Sequence, residues 1–146
     1  MDASRVIPDL QATDRWAAIH ELIERLVVSQ QITARDRDAI FDAIRHRENA
    51  RSTGIGSGIA IPHARTPLVA EVAWTFGRSR AGIPFDAFDN QLVRYVFLFL
   101  VPEAQFERHV QTLARIAKVF RGDQVLEDLS AAPDAPAILK ILESRL

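Results

Sequence analysis

Apolar residues recur at helical spacing in the first third of the chain. From Thr13 to Val28 they share one side of a helix, at Trp16, Ile19, Leu22, Ile23, Leu26 and Val27. Thr13 or Asp14 is suited to cap the N-terminus of this helix. A second helix is predicted from Thr33, with Asp36 as a weak capping-box partner and with Ile40, Phe41 and Ile44 on one face. Two amphipathic helices therefore precede any clear strand.

The pattern then changes to short apolar runs that are typical of strands. Strands are predicted at 59–61, ending at Pro62, at 72–76 and at 93–101. The last run is apolar without interruption, which indicates a strand that is covered on both faces. The sheet is therefore expected at the centre of the fold, with His63 just past the end of its first strand.

Helical spacing returns after Pro102. A helix is predicted from the apolar positions Phe106, Val110, Leu113, Ala117 and Phe120, and shorter helices are predicted at 125–129 and 136–142. Helices on both sides of a buried sheet predict an α/β fold, a three-layer helix–sheet–helix sandwich around a central mixed sheet. Sites in such folds gather at strand ends and in the adjoining loops.

Composition limits the possible partners and compartments. A chain of 146 residues fits one domain, taken here as 1–146, and its formal charge of −1 gives no general attraction to nucleic acid or to anionic lipid. The chain has no cysteine, which excludes disulfides and zinc–thiolate sites. The first twenty residues lack the apolar core of a signal peptide, and no apolar run is long enough to cross a bilayer. We therefore expect a cytoplasmic protein without membrane insertion.

The segment from Ser52 to Arg65 is the best candidate for chemistry. It contains Gly54, Gly56 and Gly58 and leads to His63. Backbone amides of a glycine-rich loop can hold an anion, although such loops are more often structural turns. The spacing matches neither a Walker A loop nor a dinucleotide-binding fingerprint. Imidazole titrates near neutral pH and can form covalent intermediates, so His63 is a candidate nucleophile, but an isolated histidine is more often structural.

A family resemblance favours the functional interpretation. Residues 52–64, Ser-Thr-Gly-Ile-Gly-Ser-Gly-Ile-Ala-Ile-Pro-His-Ala, closely resemble the active-site signature of enzyme IIA proteins of the mannitol/fructose class (type 2) in the bacterial phosphotransferase system. The resemblance continues through 83–93, 99–102 and 109–117, in the family's order. Within the class the chain is most similar to the free-standing nitrogen-regulatory IIA proteins, because no IIB or membrane IIC domain is attached.

This resemblance implies a mannitol-type IIA fold and a phosphotransferase function. His63 would accept a phosphoryl group from an HPr-type phosphocarrier protein, through the ring nitrogen remote from the backbone. His109 and Arg47, which precedes Glu48, would assist the transfer. The implied phosphate loop consists of Thr53, Gly54, Gly56, Ser57 and Gly58. Downstream partners would be regulated target proteins or a permease IIB component. No cofactor is implied, since the donor is not a nucleotide, and too few ligands remain for a metal site.

Several positions differ from the family pattern or leave alternatives open. Arg51 is either a second phosphate contact or a solvated loop charge, and we favour the solvated charge. Arg65 follows Ala64, where the family more commonly has glycine and then lysine; Arg51 and Arg65 are both candidate partner contacts. Asp86 and Asp89 are expected to be structural turn residues. Two further histidines, His20 and His46, match no site.

Two other functions compete with a nitrogen-regulatory carrier. One is a sugar-specific IIA component whose permease is encoded separately. The other is a binding module related in fold to the cytoplasmic domains of anion exchangers, in which His63 is never phosphorylated. Function resides in the site and its partners, so the fold alone does not separate these possibilities.

Overall fold

The sheet lies at the centre of the computed structural model, which describes residues 2–87 and 89–145. Phe88, within the 83–93 segment, and the first and last residues of the expected domain lie outside the described residues. The strands are β1 (Val6–Ile7), β2 (Gly54–Gly56), β3 (Ile59–Ala60), β4 (His63–Thr66), β5 (Ala73–Ile83) and β6 (Val93–Pro102). Their order is β1-β5-β6-β3-β2, and β4 continues the line of β3 along β6. β5 is antiparallel to β6, and β2 to β3, whereas β1 is parallel to β5 and both β3 and β4 are parallel to β6, so the expected mixed sheet is confirmed.

Helices cover both faces of the sheet. The helices α1 (Arg15–Val28) and α2 (Arg37–Ala50) share one apolar core with the β6 residues Val96, Leu98 and Leu100. The helices α3 (Phe106–Val119), α4 (Asp123–Ala131) and α5 (Ala135–Arg145) lie over the opposite face, where Tyr95, Phe97 and Phe99 project from β6. Because alternate residues of β6 enter different cores, the expectations of a doubly covered strand and of a three-layer sandwich are both confirmed.

The two N-terminal helices begin differently from each other. The Asp14 carboxylate accepts a hydrogen bond of 2.9 Å from the Ala17 amide, so Asp14 rather than Thr13 caps α1. A 3₁₀ turn over Ala34–Asp36 precedes α2. The Thr33 hydroxyl donates to the Asp36 carboxylate at 2.9 Å and does not cap the backbone, so α2 starts four residues later than predicted.

The glycine-rich segment is a β-hairpin and not an open loop. β2 pairs with β3, and the two residues between them, Ser57 and Gly58, have φ values of 57° and 81°. Positive φ at both central residues is required by the type I′ hairpin turn, and glycine adopts it without strain. The chain then resumes as a strand at His63 itself. The prediction that His63 follows a strand is thus incomplete, because this residue also begins β4.

Strand β5 is much longer than the predicted 72–76. It extends to Ile83 through Arg78 and Ser79, which are buried although polar. The Arg78 guanidinium donates to the carbonyl oxygens of Pro8, Leu129 and Ala132 at 2.7–2.9 Å. These bonds allow a charged side chain to stay inside the fold. Among the described helices, none has the length and the apolar character needed to cross a membrane.

Candidate functional site

Sheet register determines the direction of the His63 side chain. His63 lies opposite Phe99 on β6, and Phe99 lies opposite Trp74 on β5. Residues that are directly opposite on neighbouring strands share a face. Phe99 and Trp74 both belong to the core under α3, α4 and α5, so His63 faces the α3 side of the sheet at its edge. Pro62 is buried immediately before it.

The backbone fixes the tautomer of the His63 ring. Its Nδ1 atom lies 2.8 Å from the carbonyl oxygen of Ile61. A carbonyl oxygen can only accept a hydrogen bond, so Nδ1 must carry the proton. In the neutral ring the lone pair then resides on Nε2, the nitrogen farther from the backbone. This arrangement satisfies the requirement for a nucleophilic imidazole.

The surroundings of His63 favour the uncharged ring. Burial lowers the pKa of His63 below its usual 6.5, and the positive charge of Arg47 lowers this pKa further. The hydrogen bond to Ile61 and the negative charge of Glu48 act in the opposite direction, but burial has the largest influence. His63 is therefore mainly neutral at pH 7, the form in which Nε2 can attack an electrophile.

A cavity of about 820 Å³ opens beside His63, between the hairpin, the end of α2 and one face of α3. Its volume lies within the range of ligand sites and is open to solvent. The lining residues are Arg47, Arg51, Ser52, Thr53, Gly54, Ile55, Ile61, His63, Asp86, Phe106, Val110, Leu113, Ala114, Ala117 and Arg121. Among them, Phe106, Val110, Leu113 and Ala117 belong to the apolar face of α3 that the sequence predicted, and here that face borders the site instead of being fully packed.

Arg47, which the family resemblance implied as an assistant of His63, lies on the wall of the His63 cavity. It belongs to the last turn of α2 and is half-buried. Its Nη1 donates to the carbonyl oxygen of Arg51 at 2.9 Å. A guanidinium has five N–H donors, so this bond orients the side chain and leaves other donors for an anion.

The expected phosphate loop is only partly at the cavity. Thr53 and Gly54 line it, whereas Gly56, Ser57 and Gly58 do not. Three of the backbone amides also donate hydrogen bonds within the protein. The Thr53 amide donates to the Glu48 carboxylate at 2.7 Å, and the Gly54 amide donates to the Ser52 hydroxyl at 3.1 Å. The Ser57 amide donates to the Asp89 carboxylate at 3.0 Å. The structure thus does not bring the glycine-rich amides together as an anion cradle.

Gly54 is instead required for close packing. A Cβ at this position would lie 2.8 Å from the Cβ of Ala87 and 3.0 Å from its Cα. The Ser52 hydroxyl donates to the Phe85 carbonyl oxygen in the same region. The glycine therefore allows the hairpin to rest against the 85–87 segment, which helps to form the cavity wall.

Glu48 is a residue of the site to which sequence reasoning gave no role. Its side chain is buried, and its carboxylate accepts hydrogen bonds from the amide and the hydroxyl of Thr53. The Arg15 guanidinium lies 3.7 Å from the same carboxylate. The sequence contains a usable signal, because Glu48 continues the buried i, i+4 row that starts with Ile40 and Ile44. A charged residue in such a row usually has a dedicated partner.

His109 borders a different cavity from His63. This second cavity has a volume of about 540 Å³, has Trp74, Phe97 and Phe99 in its lining, and lies under the other flank of α3. The Nε2 of His109 is 3.4 Å from the side-chain oxygen of Gln105. His63 and His109 are therefore not brought into one cavity, although α3 borders both.

The other sequence candidates lie around the mouth of the His63 cavity or away from it. Arg51 is exposed on its wall, and the exposed Arg65 lies with its guanidinium 5.0 Å from the ring centre of Phe106. Asp89 accepts from the Ser57 and Gln91 amides, as expected of a turn residue. Asp86 also lines the cavity, with a φ of 52° and its carboxylate 3.8 Å from Arg15.

The two remaining histidines do not line the His63 cavity. His20 stacks on Phe41 at 3.7 Å, and His46 is exposed on α2. Within residues 2–87 and 89–145, no group of three or more histidine, aspartate or glutamate side chains is arranged to hold a metal ion.

The chain is similar to known proteins over most of its length. Residues 1–145 match the family described as "Phosphoenolpyruvate-dependent sugar phosphotransferase system, EIIA 2". The chain is 33% identical to the nitrogen regulatory protein of Bradyrhizobium diazoefficiens over 137 residues, which cover 94% of this chain and 88% of that protein. It is 39% identical to the fructose-specific EIIA component of Haloferax volcanii over 107 residues, which cover 73% of this chain and 70% of that protein.

A solved structure extends the likeness to three dimensions. The crystal structure of the nitrogen regulatory protein IIA-Ntr from Neisseria meningitidis superimposes with a TM-score of 0.88. The two chains are 28% identical, and the match covers 97% of this chain and 94% of that one.

Proposed function

Because the chain belongs to the EIIA 2 family of the phosphoenolpyruvate-dependent sugar phosphotransferase system, we propose that His63 accepts a phosphoryl group from an HPr-type phosphocarrier protein and transfers it to a further protein. The observation that carries this proposal is the state of the ring. Its Nδ1 is bound to the Ile61 carbonyl oxygen, burial favours the neutral form, and the side chain borders an open cavity. A neutral imidazole with an available Nε2 is the nucleophile that such a transfer needs.

The transfer is a displacement at phosphorus between two imidazole rings. The Nε2 lone pair of His63 forms the new N–P bond while the N–P bond of the donor's phosphohistidine breaks. The electron pair of the broken bond returns to the donor ring, which leaves as neutral histidine provided that its other ring nitrogen carries a proton, while the His63 ring takes over the positive charge. No net proton change is needed, because the Nδ1 proton of His63 remains on the Ile61 hydrogen bond. The protein contributes positioning and charge stabilisation to this reaction.

Arg47 is the proposed phosphate ligand. It lines the same cavity as His63 and lies close enough for its charge to lower the His63 pKa. A guanidinium can donate two directed hydrogen bonds to phosphate oxygens. His109 is the proposed second donor, supplied from α3, which separates the two cavities. In this proposal the Arg47 guanidinium and the His109 ring stabilise the charge of the phosphoryl group, a role that metal ions have in other phosphoryl-transfer proteins.

We further propose that the protein acts mainly in regulation, as a member of the nitrogen branch. The 33% identical relative and the superimposable structure both have nitrogen-regulatory names, and both are matched over most of their length. Phosphorylation would add negative charge at the centre of the contact surface and thereby change which target protein binds. A sugar-specific IIA with a separate permease IIB partner is the second candidate, since a fructose-specific EIIA is 39% identical over a shorter match.

Intact mass spectrometry with a phosphorylated HPr-type donor tests the central claim. The parent protein should gain one phosphoryl group that is lost in acid, as a phosphoramidate is, and His63→Ala should gain none. His46→Ala is a matched control, because His46 is an exposed histidine on α2. If His63→Ala is phosphorylated as readily as the parent, the proposal is wrong. If no histidine is phosphorylated, the chain is a binding module instead.

The regulatory role needs a separate experiment. Immobilised protein in the phosphorylated and unphosphorylated states should retain different proteins from an extract of its own organism, and identification of these proteins separates the two roles. Retention of regulatory targets that depends on the phosphorylation state supports the nitrogen branch. Transfer of the phosphoryl group to a permease IIB component, without such targets, supports the sugar-specific function.

A further inference from the structure

The second cavity, under α3, has the size and the base of a small-molecule site. Its volume of about 540 Å³ lies within the range of such sites. Three aromatic residues of the central strands, Trp74, Phe97 and Phe99, line it from the sheet side. The ring centre of Phe97 lies 5.3 Å from that of Trp74 and 4.4 Å from that of Phe99, so the base is one continuous aromatic surface. Such a surface favours a flat apolar group above it.

Helices supply further apolar lining. Ile116 of α3 and Leu139 and Leu142 of α5 border the same cavity, and all three are buried. A ligand that enters between these helices and the sheet would therefore remove most of its apolar surface from water, which is the main source of favourable free energy in such binding.

The indole N–H of Trp74 is a donor without a partner. Trp74 is only 8% exposed, and its backbone groups bond to the Gln31 side chain, but its indole nitrogen forms no hydrogen bond with any described residue. No fully buried polar side-chain atom of residues 2–87 and 89–145 lacks a partner. The N–H must therefore reach open space, and the second cavity is the open space that Trp74 lines. A largely buried indole N–H usually finds an acceptor, and here a ligand can supply it.

The charged groups at this cavity are mainly donors as well. Arg5 and Arg115 both line it, and neither side chain forms a salt bridge or donates a hydrogen bond in the described part of the chain. The guanidinium carbon of Arg5 lies 5.3 Å from the centre of the Trp74 ring. A guanidinium over a ring keeps its N–H groups for an acceptor beside the ring. Glu143 is the single acidic residue of the lining, and it is exposed.

We propose that the second cavity binds a small organic carboxylate with a flat apolar body, such as an arylalkanoate. The apolar body would lie on the aromatic base, and the carboxylate would accept hydrogen bonds from the Trp74 indole and from Arg5 or Arg115. An anion is favoured on two separate grounds: the indole N–H needs an acceptor, and the two arginines have no carboxylate of their own. His63 does not line this cavity, so the inference goes beyond the proposed phosphoryl transfer and does not depend on it.

An apolar side chain of a partner protein is the competing occupant. The aromatic base is poorly accessible to it, since Trp74, Phe97 and Phe99 are 8%, 2% and 5% exposed. Protein interfaces bury large surfaces that meet over many residues. A base that is covered by two helices is better suited to a small molecule that enters between them.

The experiment is a ¹⁵N NMR titration of the whole chain with 3-phenylpropanoate. The sequence has two tryptophans, Trp16 and Trp74, so Trp16→Phe assigns the indole N–H signal of Trp74. The carboxylate should shift this signal and the backbone amides of 112–116 and 139–143. The shifts should saturate with a dissociation constant of about 0.1–1 mM, as expected for a ligand of this size.

Matched probes and variants test the charge of the ligand. The neutral 3-phenylpropanamide, which has the same apolar body, should bind about tenfold more weakly than the carboxylate. Arg5→Gln and Arg115→Gln should between them remove this preference, because each eliminates one positive charge at the cavity. Arg108→Gln is the control, since Arg108 is exposed on α3 and lines neither cavity. His63→Ala should bind the carboxylate as the parent does, which keeps this test separate from the phosphorylation of His63.

Three outcomes would overturn the inference. If the Trp74 indole signal does not move with up to about 10 mM carboxylate, the cavity is not such a site. Equal affinity for the carboxylate and the amide in the parent would refute an anionic ligand. If an HPr-type carrier shifts the Trp74 indole signal and the carboxylate does not compete with it, the cavity belongs to a protein interface instead.

Discussion

The Nδ1 atom of His63 lies 2.8 Å from the carbonyl oxygen of Ile61, two residues earlier in the chain. The contact spans the short break between β3 and β4, where Pro62 interrupts the strand. Because the acceptor is a backbone group, side-chain substitutions nearby leave it in place. The proton of the neutral ring therefore stays on Nδ1 as long as the β3–β4 connection keeps its shape.

The first prediction concerns the pH dependence of His63. Burial and the Arg47 charge lower the pKa of His63, so the transfer rate should stay constant from pH 8 down through 6.5 and fall only as the pH drops through the lowered pKa. The free energy of unfolding should also fall as the pH is lowered. The unfolded chain binds the proton near 6.5 and the folded chain does not, so the stability contributed by the neutral ring is present above 6.5 and is lost below it.

NMR titration of the His63 ring protons, together with single-turnover rates, checks this prediction. His46, which is exposed, serves as the internal comparison in the same spectra. Replacement of Arg47 by Gln should move the pKa of His63 upward, because one of the causes that lower it is removed. A His63 midpoint at or above 6.5 in the parent would contradict the role assigned to burial.

The second prediction concerns Glu48. Glu48→Ala removes the acceptor of the buried Thr53 amide and hydroxyl and leaves these donors without a partner. An unsatisfied buried polar group costs about 1–3 kcal/mol, so the free energy of unfolding should fall by about 2–3 kcal/mol. Glu48→Gln keeps one acceptor oxygen and should lose less. Urea denaturation measures both variants, and an Ala variant within about 0.5 kcal/mol of the parent would show that water replaces the carboxylate.

Much of the fold follows from hydrophobic periodicity. The run at 93–101 predicted a doubly covered strand, and β6 is apolar on both faces. In β5 the predicted strand ended at residue 76, but the strand continues through Arg78, whose charge is held inside by three backbone carbonyl oxygens. Those acceptors come from segments far away in the sequence, so the local pattern contains no sign of them. Tertiary contacts override local preference at such positions.

The sequence predicted the positions of some site residues better than those of others. His63 and Arg47, which the family resemblance paired, do share a cavity, and each lies at the end of a local element. For the glycine-rich segment the sequence left an anion-holding loop and a structural turn open, and Ser57-Gly58 does form the turn of a hairpin, for which the sequence also contains a signal. The position of His109 depends on how α3 lies over the sheet, and helical period specifies a face of the helix but not the cavity that this face borders.

The third prediction tests His109. If this side chain donates to the phosphoryl group during transfer, His109→Ala should remove about 2–4 kcal/mol of transition-state stabilisation and slow the reaction accordingly. The free energy of unfolding should stay unchanged. Since His109 lines the neighbouring cavity, its participation requires the ring to reach the His63 side of α3 when the donor is bound. Single-turnover measurements show whether the variant transfers more slowly, and thermal unfolding shows whether it is folded. Unchanged kinetics in a folded variant would assign His109 to the second cavity only.

The last prediction separates the two arginines before the hairpin: Arg47→Ala should impair phosphoryl transfer more than Arg51→Ala. Arg47 is half-buried beside His63, whereas Arg51 is exposed at the cavity mouth. Charge-assisted hydrogen bonds contribute about 1.5–3 kcal/mol each, so loss of a phosphate ligand should slow transfer at least about tenfold at saturating donor. Arg47→Lys should restore only part of the rate, because an ammonium lacks the planar fork.

Salt distinguishes the two effects. The Arg47→Ala defect should persist at high ionic strength, because a ligand within the site is poorly screened, whereas the smaller Arg51→Ala defect should disappear. Arg47→Ala also removes the 2.9 Å donor to the Arg51 carbonyl oxygen, so unfolding curves must accompany the kinetics. Both alanine variants are measured against one phosphorylated carrier at two ionic strengths. A larger, salt-insensitive loss at Arg51 would mean that Arg51, and not Arg47, binds the phosphoryl group.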